Sequence, residues 1–164
     1  MDSYQLEKPV WDDSDFDAMG WHDARIWSML ADTDAFEFLL DLDYIFKWVH
    51  PVDGETYFRF WVAPVTMVFE SAHTVRIDIE SQLGEIEVAD LFRESPEPTR
   101  MGEAVQHTYR FDCQEGEISL KATGFKMFAR QPPVLLQAQS LNLHERNGVS
   151  FRRSSERRNV NELA

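Results

Sequence analysis

The chain has 164 residues, enough for one domain, and its 43% hydrophobic residues supply material for a single core. The formal net charge is −13, and the last thirteen residues carry four Arg and two Glu, so the preceding 151 residues carry −15. This charge repels phosphates and anionic lipids, which argues against nucleic-acid binding and membrane binding. It either keeps the protein soluble or attracts a basic protein as a partner. No cofactor is predicted.

The sequence also bears on location. Cys113 is the single cysteine, which rules out an intramolecular disulfide and suits a reducing cytoplasm. The first ten residues lack the basic and apolar regions of a signal peptide, and charges interrupt the apolar run 35–49. We therefore expect a cytoplasmic protein without a membrane span.

Residues 1–20 are predicted to form an irregular lead-in that Trp11 and Phe16 anchor to the body. Ser14 is a candidate cap for one short helical turn. Four aspartates between positions 12 and 17 are similar to the start of a calcium loop. They lack the Gly at the sixth position and the Glu at the twelfth, so no metal site is predicted.

Residues 21–151 have apolar side chains with a period of two and are predicted to form a single β domain. Even positions between 36 and 50 are aromatic or aliphatic up to His50, which predicts one long strand with one apolar face and a bulge near Asp41. Asp41 and Asp43 share the other face, where they are expected to be solvated and to discourage pairing between sheet edges. Pro64, in the next strand, predicts a bulge, an edge or a corner.

Two hairpins are predicted further along the chain. In the first, strand 75–80 places positions 75, 77 and 79 inward and turns into strand 86–92. In the second, strands 108–114 and 118–123 flank Glu115 and Gly116, with Cys113 on an apolar face. A further strand is expected over 134–143, and Asn147 with Gly148 predicts a turn.

Together these segments predict a mainly β fold. It is an antiparallel meander of about eight to ten strands, with little helix, folded into a two-layer sandwich or an open barrel. A basic tail, 152–164, follows this domain and contains Arg152, Arg153, Arg157 and Arg158. These arginines are candidates to dock on an acidic surface of this molecule or of a neighbour, which leaves homo-oligomer formation open.

Two sets of residues are candidate sites. Aromatic side chains on a concave face could bind a small ligand, and this set comprises Tyr44, Trp48, His50, Tyr57 and Trp61. His22 and Asp23 form a polar candidate, because a His beside an Asp suits general-base or metal chemistry. Neighbours on a strand point to opposite faces, so no direct contact between His22 and Asp23 is expected. The structural alternative for them is a hydrogen bond to backbone in a corner.

Three strings carry a resemblance to known proteins: WHDARI at 21–26, FEFLLDLDYIFKW at 36–48 and VAPVTMVFE at 62–70. They resemble a group of small uncharacterised bacterial β-rich proteins, some of which are similar to immunity proteins of toxin systems. The resemblance spans about residues 20–150 and implies an all-β fold in the bacterial cytoplasm. It implies no catalytic residue.

The sequence as a whole favours a binding domain, with immunity to a basic toxin as its most concrete form. The alternative is a small-ligand binder or an enzyme that uses an aromatic-lined cleft. Phosphate-loop, catalytic-serine and zinc-protease motifs are missing from the sequence, which makes an enzyme the weaker choice.

Overall fold

Antiparallel strands make up most of residues 3–154, the part of the chain that the computed structural model describes. The strands are β1 (Val10–Asp12), β2 (Arg25–Asp32), β3 (Glu37–Val49), β4 (Arg59–Glu70), β5 (His73–Ile79), β6 (Ile86–Arg93), β7 (Glu97–Pro98), β8 (Val105–Cys113), β9 (Gly116–Ala122), β10 (Gly124–Ala129) and β11 (Val134–Leu136). A 3₁₀ helix, Asp13–Ala18, follows β1. The mainly β, antiparallel prediction is confirmed.

All of these strands belong to one sheet that folds over on itself. Its order is β1-β10-β4-β3-β2-β6-β8-β9-β5, with β11 beside β4 and β7 beside β8. β2 pairs with β3 along its length but with β6 only at Arg25 and Ile26. The sheet turns at this narrow connection and does not close into a barrel.

The main core lies between the two halves of the sheet. It joins side chains of β3, β4 and β10 to side chains of β6, β8 and β9. Phe69 of β4 illustrates the packing, since its ring centroid lies 5.1 Å from that of Tyr109 and 5.9 Å from that of Phe111, both on β8. Cys113 is buried on the same face of β8, as predicted.

The outer face of β3 and β4 is covered as well. Both strands are buried along most of their length on both faces. The chain after β10 crosses this outer face, and Leu141 from it packs against Ile45, Phe60 and Val62 in a second, smaller core. We call residues 130–153 the covering segment. Because of it, the prediction of one solvated face on the long strand is wrong.

Pro64 lies in the middle of β4, a central strand, and not at an edge, bulge or corner. Its carbonyl accepts a hydrogen bond from the backbone N–H of Arg130 at 3.0 Å, so its nitrogen faces the same side of the strand. On that side, β10 ends at Ala129 and β11 begins at Val134. The missing N–H therefore faces the gap between two short strands, where no ladder bond is lost.

The first predicted hairpin is wrong. β5 pairs with β9, while β6 pairs with β2 and β8. Val75 and Ile77 are 39% and 49% exposed, because β5 is the last strand of the sheet. The second hairpin is confirmed, with Cys113 opposite Gly116 at its turn.

The ends of the described chain differ in detail from the sequence-based expectations. β1 joins the sheet beside β10, and Asp12, not Ser14, caps the 3₁₀ helix. In the segment 134–143 only Val134–Leu136 forms a strand, and Asn147 with Gly148 forms a turn with positive φ at both residues. Across residues 3–154, no helix is long and apolar enough to cross a membrane.

Candidate functional site

A groove of about 750 Å³ opens at the end of the sheet where β3 leads into β4. Three of its aromatic lining residues are at least partly exposed: Trp48 and Phe58 at 36% each, and Tyr57 at 80%. The ring of Trp48 stands edge-on to those of Phe58 and Phe60, with centroids 5.9 and 4.9 Å away. The remaining lining is mostly polar and comprises Glu55, Thr56, Arg59, Gln137, Ala138 and Gln139.

A bulge in β3 directs Trp48 into this groove. The register between β3 and β4 shifts between Ile45 and Lys47, which leaves Phe46 as the extra residue. Beyond the shift, Trp48 pairs with Phe60, whose side chain belongs to the second, smaller core on the outer face. A bulge exchanges the faces of all later side chains on a strand. Tyr44 and Trp48 therefore lie on opposite faces of the sheet.

The five predicted ligand-binding residues separate accordingly. Trp48 and Tyr57 line the groove, and exposed His50 lies beside it with its ring 4.9 Å from that of Phe58. Tyr44 and Trp61 are 6% and 9% exposed and do not line it. Tyr44 packs against Trp21 with ring centroids 5.3 Å apart. Burial raises the pKa of Tyr44 to about 12, while a hydrogen bond from the Gly20 N–H acts in the opposite direction.

The polar pair, His22 and Asp23, is in a turn and not on a strand. Asp23 has φ of 66°, and its N–H donates to the carbonyl of Val88 at 2.8 Å. His22 Nε2 lies 3.6 Å from Asp23 Oδ2, so the expectation that the two side chains cannot meet is wrong. The alternation rule holds for extended backbone, and the left-handed residue at Asp23 breaks it. Backbone contacts in a corner are confirmed.

This turn adjoins the groove. The His22 ring is nearly parallel to that of Trp48, with centroids 6.0 Å apart and an interplanar angle of 7°. Gln139, which lines the groove, donates to Asp23 Oδ2 at 2.6 Å. The two candidate sites of the sequence thus form one continuous surface through Trp48 and Gln139.

Glu87 of β6 adds a second carboxylate to the turn. Burial, a hydrogen bond with Asp23 and the charges of Asp23 and Glu115 raise the pKa of Glu87, and His22 acts in the opposite direction. A partly buried carboxyl beside other carboxylates retains its proton to higher pH than an isolated one. Sequence reasoning missed Glu87, because its place beside Asp23 depends on the pairing of β2 with β6.

A row of four exposed carboxylates continues from this turn across the outer face of β6, β8, β9 and β5. Asp90 lies opposite Asp112, Asp112 opposite Glu117, and Glu117 opposite Asp78. Asp90 follows Ala89, whose carbonyl is 3.3 Å from His22 Nδ1. Like charges directly opposite each other repel and destabilise a sheet. Because they lie so close together, they also concentrate negative potential along this face. We call these residues the acidic row.

Asp41 and Asp43 form a buried ion-pair network and not a solvated face. Both are fully buried. Asp41 Oδ1 accepts from Arg130 at 2.6 Å and from Arg146 at 2.6 Å, and Asp43 Oδ1 accepts from Arg146 at 3.1 Å. The covering segment supplies both arginines. The network therefore fastens this segment to β3, and nothing about it is open to a ligand.

Two aspartates of the run at positions 12–17 form ion pairs. Asp15 accepts from Lys8 and Asp13 from Arg93, which accounts for two members of the aspartate run. Within residues 3–154, no group of three or more His, Cys, Asp or Glu side chains is placed to hold a metal ion. In the tail, Arg153 forms an ion pair with Glu37 at 2.8 Å, whereas Arg157 and Arg158 lie outside the described residues.

Cys113 should react slowly with a thiol reagent in the native protein. Burial, followed by the charges of Glu115, Asp112 and Glu117, raises the pKa of the thiol to about 12. At pH 8 the native thiol is therefore protonated and covered, and the thiolate is the reactive form. A disulfide reagent should label unfolded protein at least about 100-fold faster than native protein. Equal rates in urea and in buffer would contradict this burial.

We compared the chain with protein-family models, with curated proteins and with solved structures, and none of them matches it. The resemblance to immunity proteins stays a prediction.

Proposed function

We propose that this protein is a binding domain that holds an extended, basic segment of a partner protein in the groove. One observation carries the proposal: exposed aromatic rings in the groove are continuous with the carboxylates of Asp23, Glu87 and the acidic row. Lys and Arg side chains favour the faces of Trp and Tyr rings and pair with carboxylates. The acidic row and the partly exposed Glu87 supply the carboxylates for these contacts, whereas Asp23 is buried and holds Gln139 at the groove.

The overall charge supports the same partner. A net charge of −13 speeds the encounter with a basic protein and penalises acidic ones. Arg59 is the basic residue of the groove lining, and it sets a limit to how close a cationic side chain approaches at that end. The most concrete form of the proposal is immunity to a basic toxin in the cytoplasm, which agrees with the resemblance of the three sequence strings.

Replacing Trp48 or Tyr57 by Ala should weaken binding of an extended arginine-rich peptide about 10-fold or more, since each removes an exposed ring from the groove. Phe36→Ala is the matched control: Phe36 is 71% exposed just before β3, at the opposite end of that strand from Trp48, and does not line the groove. Calorimetry or fluorescence anisotropy gives the dissociation constants. A glutamate-rich peptide of equal length should not bind, and higher salt should weaken the arginine-rich one.

The proposal fails if neither peptide binds, or if Phe36→Ala weakens binding as much as Trp48→Ala. The first result would leave the groove without a cationic occupant. The second would place the contact elsewhere on the acidic surface.

The groove volume favours a second candidate function, a small-ligand site. Ligand pockets commonly span about 300–1,000 Å³ with aromatic lining and a few polar groups, and a volume of about 750 Å³ falls in this range. His22 would then supply an acid–base group beside the ligand. A neutral aromatic ligand that quenches Trp48 fluorescence, together with no response to the arginine-rich peptide, would favour this function over the first.

A further inference from the structure

The two edges of the sheet are unlike each other. At one edge, β1 has three residues and follows Pro9, and the 3₁₀ helix succeeds it directly. At the other edge, β5 has seven residues without Gly or Pro, and no strand of residues 3–154 pairs with its outer side. Natural sheets protect such edges with prolines, lysines or covering segments, or pair them with another chain.

The backbone groups that β5 presents outward can be identified. The N–H of Glu80 donates to the carbonyl of Glu115 on the β9 side. Backbone direction alternates along a strand, so Asp78 and Arg76 also face β9. Ile77 and Ile79 therefore direct their N–H and C=O groups away from the sheet, and so does the carbonyl of Val75. The Val75 N–H is left out of this pattern, because it follows left-handed Thr74, where the register with β9 shifts. Val75 and Ile77 are also partly exposed at their side chains.

The sequence of β5 is complementary to itself. An antiparallel pair of two β5 strands centred on Ile77 places Arg76 of one copy opposite Asp78 of the other, twice. It also places Ile77 opposite Ile77, and Val75 opposite Ile79. Within one chain, Arg76 Nη2 lies 4.0 Å from Asp78 Oδ2, and 78% of each side chain is exposed. Asp78 also faces the like charge of Glu117, which an incoming arginine would offset.

We propose that two copies of this chain form a dimer by pairing their β5 strands in this register. The two strands exchange about four backbone hydrogen bonds: two between the Ile77 residues, and one from each Ile79 N–H to the Val75 carbonyl of the other copy. Opposite charges directly across the strands stabilise this register, and a shift by one residue would remove both ion pairs. The dimer forms at the β5 edge, away from the groove where β3 meets β4, and shares only Asp78 with the acidic row.

Charge exchange at two positions tests the register. Arg76→Asp should dissociate the dimer, because each cross-strand pair becomes Asp opposite Asp. Asp78→Arg should dissociate it as well, because each pair becomes Arg opposite Arg. An equimolar mixture of the two variants should associate again, because every pair then joins Asp to Arg. The doubly exchanged chain, Arg76→Asp with Asp78→Arg, should also form a dimer.

The measurement is the solution mass by light scattering over about a hundredfold range of concentration, since association follows mass action. The unaltered chain should approach twice the 19.2 kDa of one chain, each single variant should stay at one, and the mixture should return to twice. Asp90→Asn, an exposed carboxylate on β6 away from the β5 edge, is the control and should stay dimeric.

Three results would overturn the proposal. The first is a single-chain mass for the unaltered protein at every concentration. The second is a dimer that neither single variant weakens, which would place the contact on another surface. The third is a mixture that stays dissociated, which would exclude this register. The rescue in the mixture also separates loss of pairing from loss of folding.

Discussion

Replacing Asp41 by Asn should lower the free energy of unfolding by about 3–5 kcal/mol, the usual effect of removing one partner from a buried ion pair. Asp41 accepts hydrogen bonds from Arg130, Arg146 and the N–H of Ser150. The amide keeps the size of the side chain but removes its charge, so two buried guanidinium groups lose a counter-charge. Few single substitutions of similar shape should be as disruptive.

Urea unfolding measures this loss, and Asp90→Asn is the matched control. Asp90 is exposed and belongs to the acidic row, so its neutralisation should change stability by less than about 0.5 kcal/mol or raise it slightly. Limited proteolysis should cut the Asp41→Asn variant first within the covering segment. A stability equal to that of Asp90→Asn would show that the network does not hold this segment.

Gly116→Ala should also destabilise the protein, by about 2–4 kcal/mol, through strain and a backbone clash. Gly116 has φ of +147°, and an added Cβ would come within 2.0 Å of the Asp78 carbonyl oxygen on β5. Since that oxygen is main chain, relief requires β5 to move away from β9. Amide hydrogen exchange should therefore increase first in β5.

Gly84→Ala separates the two causes. Gly84 has φ of +86°, but an added Cβ there would meet no atom within 4 Å. Its substitution should therefore report strain of the backbone alone, about 1 kcal/mol. If thermal or urea unfolding gives equal losses for the two variants, the close approach of β5 to Gly116 does not contribute.

The sequence was sufficient for the fold class because local patterns determine it. Alternation on β8 and β9, with Gly116 at the turn between them, predicted a hairpin between neighbours in the chain, and the structure confirms it. The same reasoning failed for β5 and β6. Their alternation is as clear, but pairing partners depend on the rest of the sheet, and a short strand at its edge keeps apolar residues exposed.

The site was predictable in its parts but not in its arrangement. Four of the candidates lie on one surface. Trp48 and Tyr57 line the groove, His22 stacks on Trp48, and Asp23 accepts a hydrogen bond from Gln139. Their arrangement depends on a bulge at Phe46 and on the left-handed turn at Asp23, which no periodicity reveals. A signal for the buried network was present. The odd positions of β3, predicted to be solvated, also include the apolar residues Leu39 and Ile45. Apolar residues there indicate that this face of the strand is covered as well.

The covering segment gives the protein an order of events during its synthesis. When a ribosome has made the chain as far as Ala129, β3 and β4 exist, but neither Arg130 nor Arg146 is there to meet Asp41 and Asp43. Until those arginines emerge, two carboxylates must stay hydrated beside the apolar outer face of Ile45 and Val62. Completion of the fold is thus deferred until the covering segment has left the ribosome, and a nascent chain halted before it would expose the surfaces that chaperones bind.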